Sequence, residues 1–177
     1  LEKIGYDGLL MTELKHDPFL PLGIAATCTK TITLATGIAV SFLRSPMAVA
    51  NIGWDLNEAS AGRFSLGLGA SGPQVIEGFH GMPYKMPLTR MKEIISICRQ
   101  AWQREKLVHD GKVFTLPLPP EEGTGLGKPL KIINHLVRPD IPIYVAALGQ
   151  KSVEETVATT EGWLPFLVYP ERMDLIW

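Results

Sequence analysis

Residues 32–47 read ITLATGIAVSFLRSPM, and the fold turns on this stretch. It opens as a run of apolar and β-branched residues, the composition of a buried strand. It then passes Gly37, enters an apolar loop and reaches Arg44, Ser45 and Pro46, after which a helical pattern starts. A buried strand that opens through a glycine into a loop before a helix is a βα unit. In parallel α/β folds, ligand sites collect at that end of the strand. Gly37, Ile38 and Ala39 are therefore expected to lie against a bound ring.

The same grammar recurs on both sides. Residues 1–5 read as the last turn of a helix stopped by Gly5. Residues 7–12, DGLLMT, read as a short strand that delivers Thr12 and Glu13 to its C-terminal end. A helix is expected over 18–29, another over 46–59, and a strand over 64–68 that opens into GASGPQ. Residues 73–88, rich in Gly, Pro and Met, read as a long loop. A helix over 89–103 follows, and 106–116 alternates around Asp110 and Gly111, a hairpin signal. Residues 117–131 are an excursion rich in Pro and Gly. A strand over 141–147, a helix over 151–160, a strand over 163–168 and a helix starting at Pro170 complete the pattern.

Strands alternating with helices imply a parallel sheet covered by helices. An open doubly wound sheet and a (β/α)8 TIM barrel both satisfy that order. A complete barrel takes roughly 250 residues, so on the barrel reading these 177 residues are an incomplete one. The abrupt starts and stops at Leu1 and Trp177 are expected to be cuts. The expectation is a single partial domain over 1–177, with an inserted loop and hairpin region at about 104–140.

Composition narrows the function classes. The chain is 46% hydrophobic, enough for a real core, and its formal net charge is −1. Near-neutral charge leaves no footprint for nucleic acid or an anionic membrane. No apolar run approaches the ~18 residues of a membrane span. Cys28 and Cys98 both fall in helical patterns and read as ordinary core thiols of a cytoplasmic protein.

The strand ends carry Thr12 and Glu13, then Gly37 to Ala39, then Gly69, Ala70 and Ser71, then Ala146, Ala147, Leu148 and Gly149. Only one of these is a carboxylate. A glycoside hydrolase needs two facing carboxyls, and a metal site needs several converging His, Asp or Glu ligands; no metal is expected. Small residues dominate, leaving room for something flat and large. Residues 67–72, GLGASG, hold spaced glycines, but they are read as running into a loop, which makes a poor dinucleotide fingerprint. Gly149, Gln150 and Ser152 stand at a helix start, where amides and the helix dipole favour an anion; a plain αL turn is the alternative. Glu13 is an acid placed at the site face. His16 either acts there or bonds the following helix start. Arg44 holds a carboxylate, holds a ligand phosphate or lies on the surface, and Arg63 is expected to pair with a neighbouring acid.

Four blocks together resemble a known family: DGLLMTELKHDPF at 7–19, ITLATGIAVSFLRSPMAVA at 32–50, SAGRFSLGLGASGPQVIEGFHG at 60–81 and IPIYVAALGQKSVE at 141–154. They are similar to the luciferase-like flavin and deazaflavin oxidoreductases, over nearly the whole chain. The blocks at 69–81 and 141–149, the latter paired with EGWLPF at 161–166, resemble most the branch that uses coenzyme F420. The resemblance implies a (β/α)8 barrel, here about strands two to six, and a homodimer or higher homo-oligomer. It implies hydride transfer between coenzyme F420 and a small organic substrate. An FMN-dependent monooxygenase and a non-catalytic barrel fragment or assembly subunit are the alternatives. It further implies a cis peptide between Gly37 and Ile38 behind the cofactor ring. Thr12, Glu13 and His16 would line the reactive face, with Glu13 or His16 moving the proton. Ala70, Ser71 and Gly72 would line the ring or its side chain, and Ala146, Ala147, Gly149 and Gln150 would hold the phosphate end.

Overall fold

The structure, a computed structural model, describes residues 1–135, 137–167, 169 and 171. After a 3-10 turn at Glu2–Ile4, closed by Gly5 in the left-handed region (φ 85°), the chain enters β1 (Gly8–Met11) and α1 (Phe19–Cys28). Then come β2 (Thr33–Thr36), β3 (Ala39–Val40) and α2 (Pro46–Ala59). β4 (Phe64–Gly69) leads to α3 (Pro73–His80) and α4 (Pro87–Trp102). β5 (His109–Asp110) and β6 (Thr115–Leu116) form an antiparallel hairpin, followed by β7 (Ile143–Val145), α5 (Gln150–Thr159) and β8 (Gly162–Trp163).

The main sheet is parallel throughout and runs β1-β2-β4-β7-β8, with β3 also on β4. The strand order follows the chain and never reverses. A doubly wound sheet reverses at a switch point; an arc of a barrel does not. Right-handed crossovers are the rule between parallel strands, and in unbroken order they place the crossover helices on one face. That face carries Leu34, Phe64, Leu66, Leu68, Ile143 and Val145, packed in one core with Leu22 of α1, Trp54 of α2 and Ile94 of α4. Trp102 fills the space between α2 and α4. Its ring lies where a Cβ on Gly53 would come within 3.0 Å, and its Nε1 donates to the Ala50 carbonyl at 3.0 Å.

The strand expected over 32–40 is broken. Ala35 pairs with Ser65 and Ala39 with Leu68, so residues 36–38 stand opposite 66–67, and one extra residue makes a bulge. The peptide between Gly37 and Ile38 is cis. Where main-chain pairing lapses, Thr36 Oγ1 substitutes for it, accepting the Gly67 amide at 2.9 Å and donating to the Gly67 carbonyl at 2.7 Å.

Three further expectations are corrected. Residues 73–88 are not one long loop: 73–80 form α3, whose Ile76 is fully buried against Val40 and Phe42. Two turns are too short to display a period, although Pro73 at the helix start and Gly81 at its αL stop are local signals for it. Among the described residues Arg63 pairs with no acid. Its guanidinium donates to the carbonyls of Ala26, Thr29 and Ile32, closing the C-terminal end of α1, which has no basic residue of its own there. The strand expected over 163–168 is shorter and starts at Gly162. The helix expected from Pro170 lies outside the described residues.

The described residues between 103 and 142 lie outside the main sheet. The hairpin returns to α4 through Glu93, a buried carboxylate that accepts the amides of Lys112 (2.8 Å) and Phe114 (2.8 Å), with Val113 at 3.1 Å. Glu93 sits so close that a Cβ on Gly111 would lie 2.3 Å from its Oε2.

Candidate functional site

The C-terminal ends of the strands surround a cleft of about 700 Å³, within the range that encloses a cofactor-sized molecule. Residues following β1 contribute Thr12, Glu13 and Leu14, and the bulge contributes Gly37 and Ile38. The turn after β4 contributes Ala70, Ser71 and Gly72. Beyond β7 come Ala146, Ala147 and Gly149. Ten of the residues expected at the site therefore meet around one space. Strand register brings them together: in parallel neighbours the ends lie side by side, and each delivers its next residues to the same mouth.

The cleft is broad because its strand-end lining is small. Ile38 lies against Gly69, where a Cβ would come 2.6 Å from the Ile38 Cδ1. Any larger residue at Gly69 would push Ile38 into the space. At the opposite rim, α5 begins from Gly149, an extended residue (φ −79°) with no capping side chain. The αL alternative for this turn is thus corrected. An uncapped helix start presents amide donors and a positive dipole end. A slot floored by Gly and Ala with a helix start at its rim fits a flat ring carrying an anionic tail.

Three expected residues stand elsewhere. Ala39 is 1% exposed in the helix-facing core, because alternation along the strand sends Ile38 to the cleft and Ala39 to the other side. Gln150 bonds outward, its Nε2 donating to Glu154 Oε1 at 3.0 Å. His16 is exposed in the loop before α1 and does not line the cleft. Nor does it cap that helix; Asp17 does, accepting the amides of Phe19 at 2.8 Å and Leu20 at 3.1 Å.

Glu13 does reach the cleft, but its carboxylate is already bound. Oε2 accepts the Val40 amide at 2.6 Å and Arg44 Nη1 at 2.9 Å, while Oε1 accepts Arg44 Nη2 at 2.6 Å. Arg44 Nη2 also donates to Asp17 Oδ2 at 2.6 Å. Of the readings open for Arg44, it is the carboxylate holder. Burial works against its charge, but Glu13 and then Asp17 outweigh burial and raise its pKa. Burial likewise works against the charged Asp17, yet the amides of Leu20 and Phe19 together with Arg44 hold its carboxyl below the usual value.

Sequence reasoning missed the far wall. Tyr84 follows α3, and Met91, Lys92 and Ile95 come from α4. Tyr84 donates its hydroxyl to the Ser71 carbonyl at 3.0 Å, and burial pushes the phenol pKa up. Its ring stacks on Phe42 at 5.2 Å, and the Arg90 guanidinium lies between Phe42 (4.7 Å) and Phe114 (5.1 Å). That stack ties the cleft rim to the hairpin. Lys92 forms an ion pair with Glu155 of α5, and both line the cleft. Met91 and Ile95 stand four apart on one face of α4, but that spacing does not tell a cleft wall from a core-facing row.

Among known proteins, the family model described as luciferase-like monooxygenase matches residues 1–174. A Mycobacterium tuberculosis protein named as a candidate coenzyme F420-dependent oxidoreductase is 41% identical over 174 residues, covering 97% of this chain and 50% of that protein. The chain spans about half the length of the curated relatives it matches. The coenzyme F420-dependent tetrahydromethanopterin reductase of Methanopyrus kandleri superposes with a TM-score of 0.82 at 20% identity, over 99% of this chain and 52% of that one. The oxygenating constituent of 3,6-diketocamphane monooxygenase of Pseudomonas putida, solved with FMN, gives 0.64 at 24% identity, over 84% of this chain and 44% of that one. At these identities the two structures speak for the fold alone. The order of strands without reversal, the cleft at their C-terminal ends and a family match running almost from end to end agree: the chain belongs to the luciferase-like monooxygenase family.

Proposed function

We propose that this chain is the cofactor-holding part of an oxidoreductase that passes a hydride between coenzyme F420 and a small organic substrate. The observation that carries the reading is the cleft itself: a wide space floored by small residues between the bulge and the start of α5. The similarity to the M. tuberculosis protein favours F420. The deazaflavin, when bound, supplies the carbon that takes or gives the hydride.

The chain's own residues bind and orient. Ala70, Ser71 and Gly72 would border the ring, with Gly37 and Ile38 behind it and Thr12 at its edge. Ala146, Ala147 and Gly149 would receive the anionic tail, helped by the amides and dipole of α5. Tyr84 holds Ser71 in place through its carbonyl. Proton transfer is not assigned to Glu13, whose oxygens are occupied, or to His16, which stands outside the cleft.

An FMN-dependent monooxygenase is the second reading, favoured by the structural neighbour solved with FMN. Titrating the protein with oxidised F420 and with FMN, following cofactor fluorescence, separates the two. F420 is expected to bind more tightly; FMN binding at least as well would make the cofactor assignment wrong. A homodimer is also proposed, supported by α1, whose ten residues carry no charge and expose Leu20 and Ile24. Sedimentation equilibrium reads that directly. Among the described residues no helix is long and apolar enough to cross a membrane.

A further inference from the structure

Glu13 does more than border the cleft. The ladder between β1 and β2 ends with Met11 opposite Thr36, and the Gly37 amide still reaches the Met11 carbonyl at 2.8 Å. Past that point Glu13 carries the pairing across the bulge. Its amide donates to the Ile38 carbonyl at 3.2 Å, and its carboxylate accepts the Val40 amide at 2.6 Å. One residue thus grips the bulge on both sides of Ala39. The carboxylate can hold that position because Arg44 binds both of its oxygens, and Arg44 is itself fixed by Asp17 and by the Phe19 ring, 4.9 Å from its guanidinium carbon. The side chains of Glu13 and Arg44 are only 13% and 15% exposed, so water competes weakly for these bonds.

We propose that Glu13 and Arg44 are positioning residues of the cleft: the pair sets where Ile38 stands, and therefore how deep a bound ring can sit. An acid at the site face invites a proton-transfer role, but this carboxylate is acceptor to an amide and a guanidinium at once. A proton on this carboxyl would cancel the charge that Arg44 pairs with and weaken the bonds that hold the bulge. The proposal rests on the cofactor-binding reading above, so its test has one arm that needs no cofactor.

In the cofactor-free protein, amide hydrogen exchange of residues 37–41 is compared between wild type, Glu13→Gln, Arg44→Lys and Arg44→Ala. Exchange at Val40 is expected to rise about tenfold or more in Glu13→Gln and Arg44→Ala, the latter through a carboxylate that no longer stays in place. Arg44→Lys, which keeps the charge and loses the two-pronged contact, is expected to fall between and stands in if Arg44→Ala does not fold. Unchanged exchange at Val40 in both Glu13→Gln and Arg44→Lys overturns the proposal.

The second arm measures affinity for F420 and the position of the bound cofactor's absorption band. Misplacing a site wall by about an ångström weakens function by up to about a hundredfold. Glu13→Gln and Arg44→Ala are each expected to raise Kd about tenfold and move the band. The double variant is expected to add little more, because both substitutions release one clamp. Additive losses, or an unmoved Kd with turnover abolished in Glu13→Gln alone, overturn it in favour of a proton-transfer role. Wild type that binds neither F420 nor FMN refutes the cofactor reading, while the exchange arm still decides whether the clamp exists.

Discussion

Replacing Gly67 by alanine puts a methyl group where main chain already stands. An ideal Cβ at Gly67 lies 1.8 Å from the Thr36 carbonyl oxygen, 3.0 Å from its carbonyl carbon and 3.1 Å from Leu164 Cδ1. The first obstacle is backbone, so it cannot rotate aside. β2 and β4 must part by about 1 Å or more, an overpacking that costs ~1–3 kcal/mol. Parting them also breaks the two bonds between Thr36 Oγ1 and Gly67, which are buried and worth about 1 kcal/mol each. The expected loss is about 3–5 kcal/mol, a large share of the roughly 5–15 kcal/mol that holds a domain folded. Urea unfolding followed by tryptophan fluorescence reads it, since Trp54 and Trp102 are both buried. Thr36→Val is the companion. It removes the bonds without adding bulk, and is expected to cost about 1–3 kcal/mol by leaving the Gly67 amide and carbonyl unpaired. The double variant should cost less than the two losses combined, because they act on one contact. A Gly67→Ala protein within about 1 kcal/mol of wild type at an unchanged m value would contradict this packing: β2 and β4 would then tolerate at the bulge a separation that the close contact forbids.

Two further outcomes follow from the same geometry. Burial works against the charge on Glu93, but the amides of Phe114, Lys112 and Val113, with His109, hold its pKa below the usual value. A carboxyl depressed in the folded state contributes stability that is present above its unfolded pKa, about 4.3, and is lost as pH falls through the lower folded value. The protection of amides 112–114, relative to their intrinsic exchange rates, should therefore fall as pH drops below about 4.3, and Glu93→Gln should destabilise the protein by about 1–3 kcal/mol at neutral pH. An acid limb unaltered by Glu93→Gln would assign that loss to other carboxyls. For the cysteines, Cys28 is exposed, while burial pushes the Cys98 thiol up to about 12. Alkylation at pH 8 should label one thiol in the native protein and both in urea. Two labelled natively would contradict the burial of Cys98, and none would contradict free thiols.

How much of this was legible beforehand depends on how far apart the deciding atoms are. α2 starts at Pro46 because Ser45 accepts the Ala48 amide and Pro46 suits the first helical position; all three residues are neighbours, and the element is where the sequence puts it. The small residues at the strand ends were readable for the same reason. Ala39 was misplaced because facing is a matter of alternation, and the bulge at 36–38 resets the alternation by one residue. Tyr84, Met91 and Lys92 escaped notice because nothing local marks a residue as the far wall of a cleft.

Local residue order is enough to set the fold class of the chain. Apolar runs, glycine exits and helix caps are local codes, and their βα order demands a parallel sheet. Which sheet was a tertiary decision: strand order without reversal makes the arc of a barrel, and no single βα unit contains that information. The role of Glu13 was decided there too. An acid at a strand end looks the same in sequence whether it is free or held. Arg44, 31 residues away, and the Val40 amide, 27 residues away, come to meet it only after two strands align. Hydrogen bonding acts over about 3 Å, and only the folded chain brings such distant residues that close.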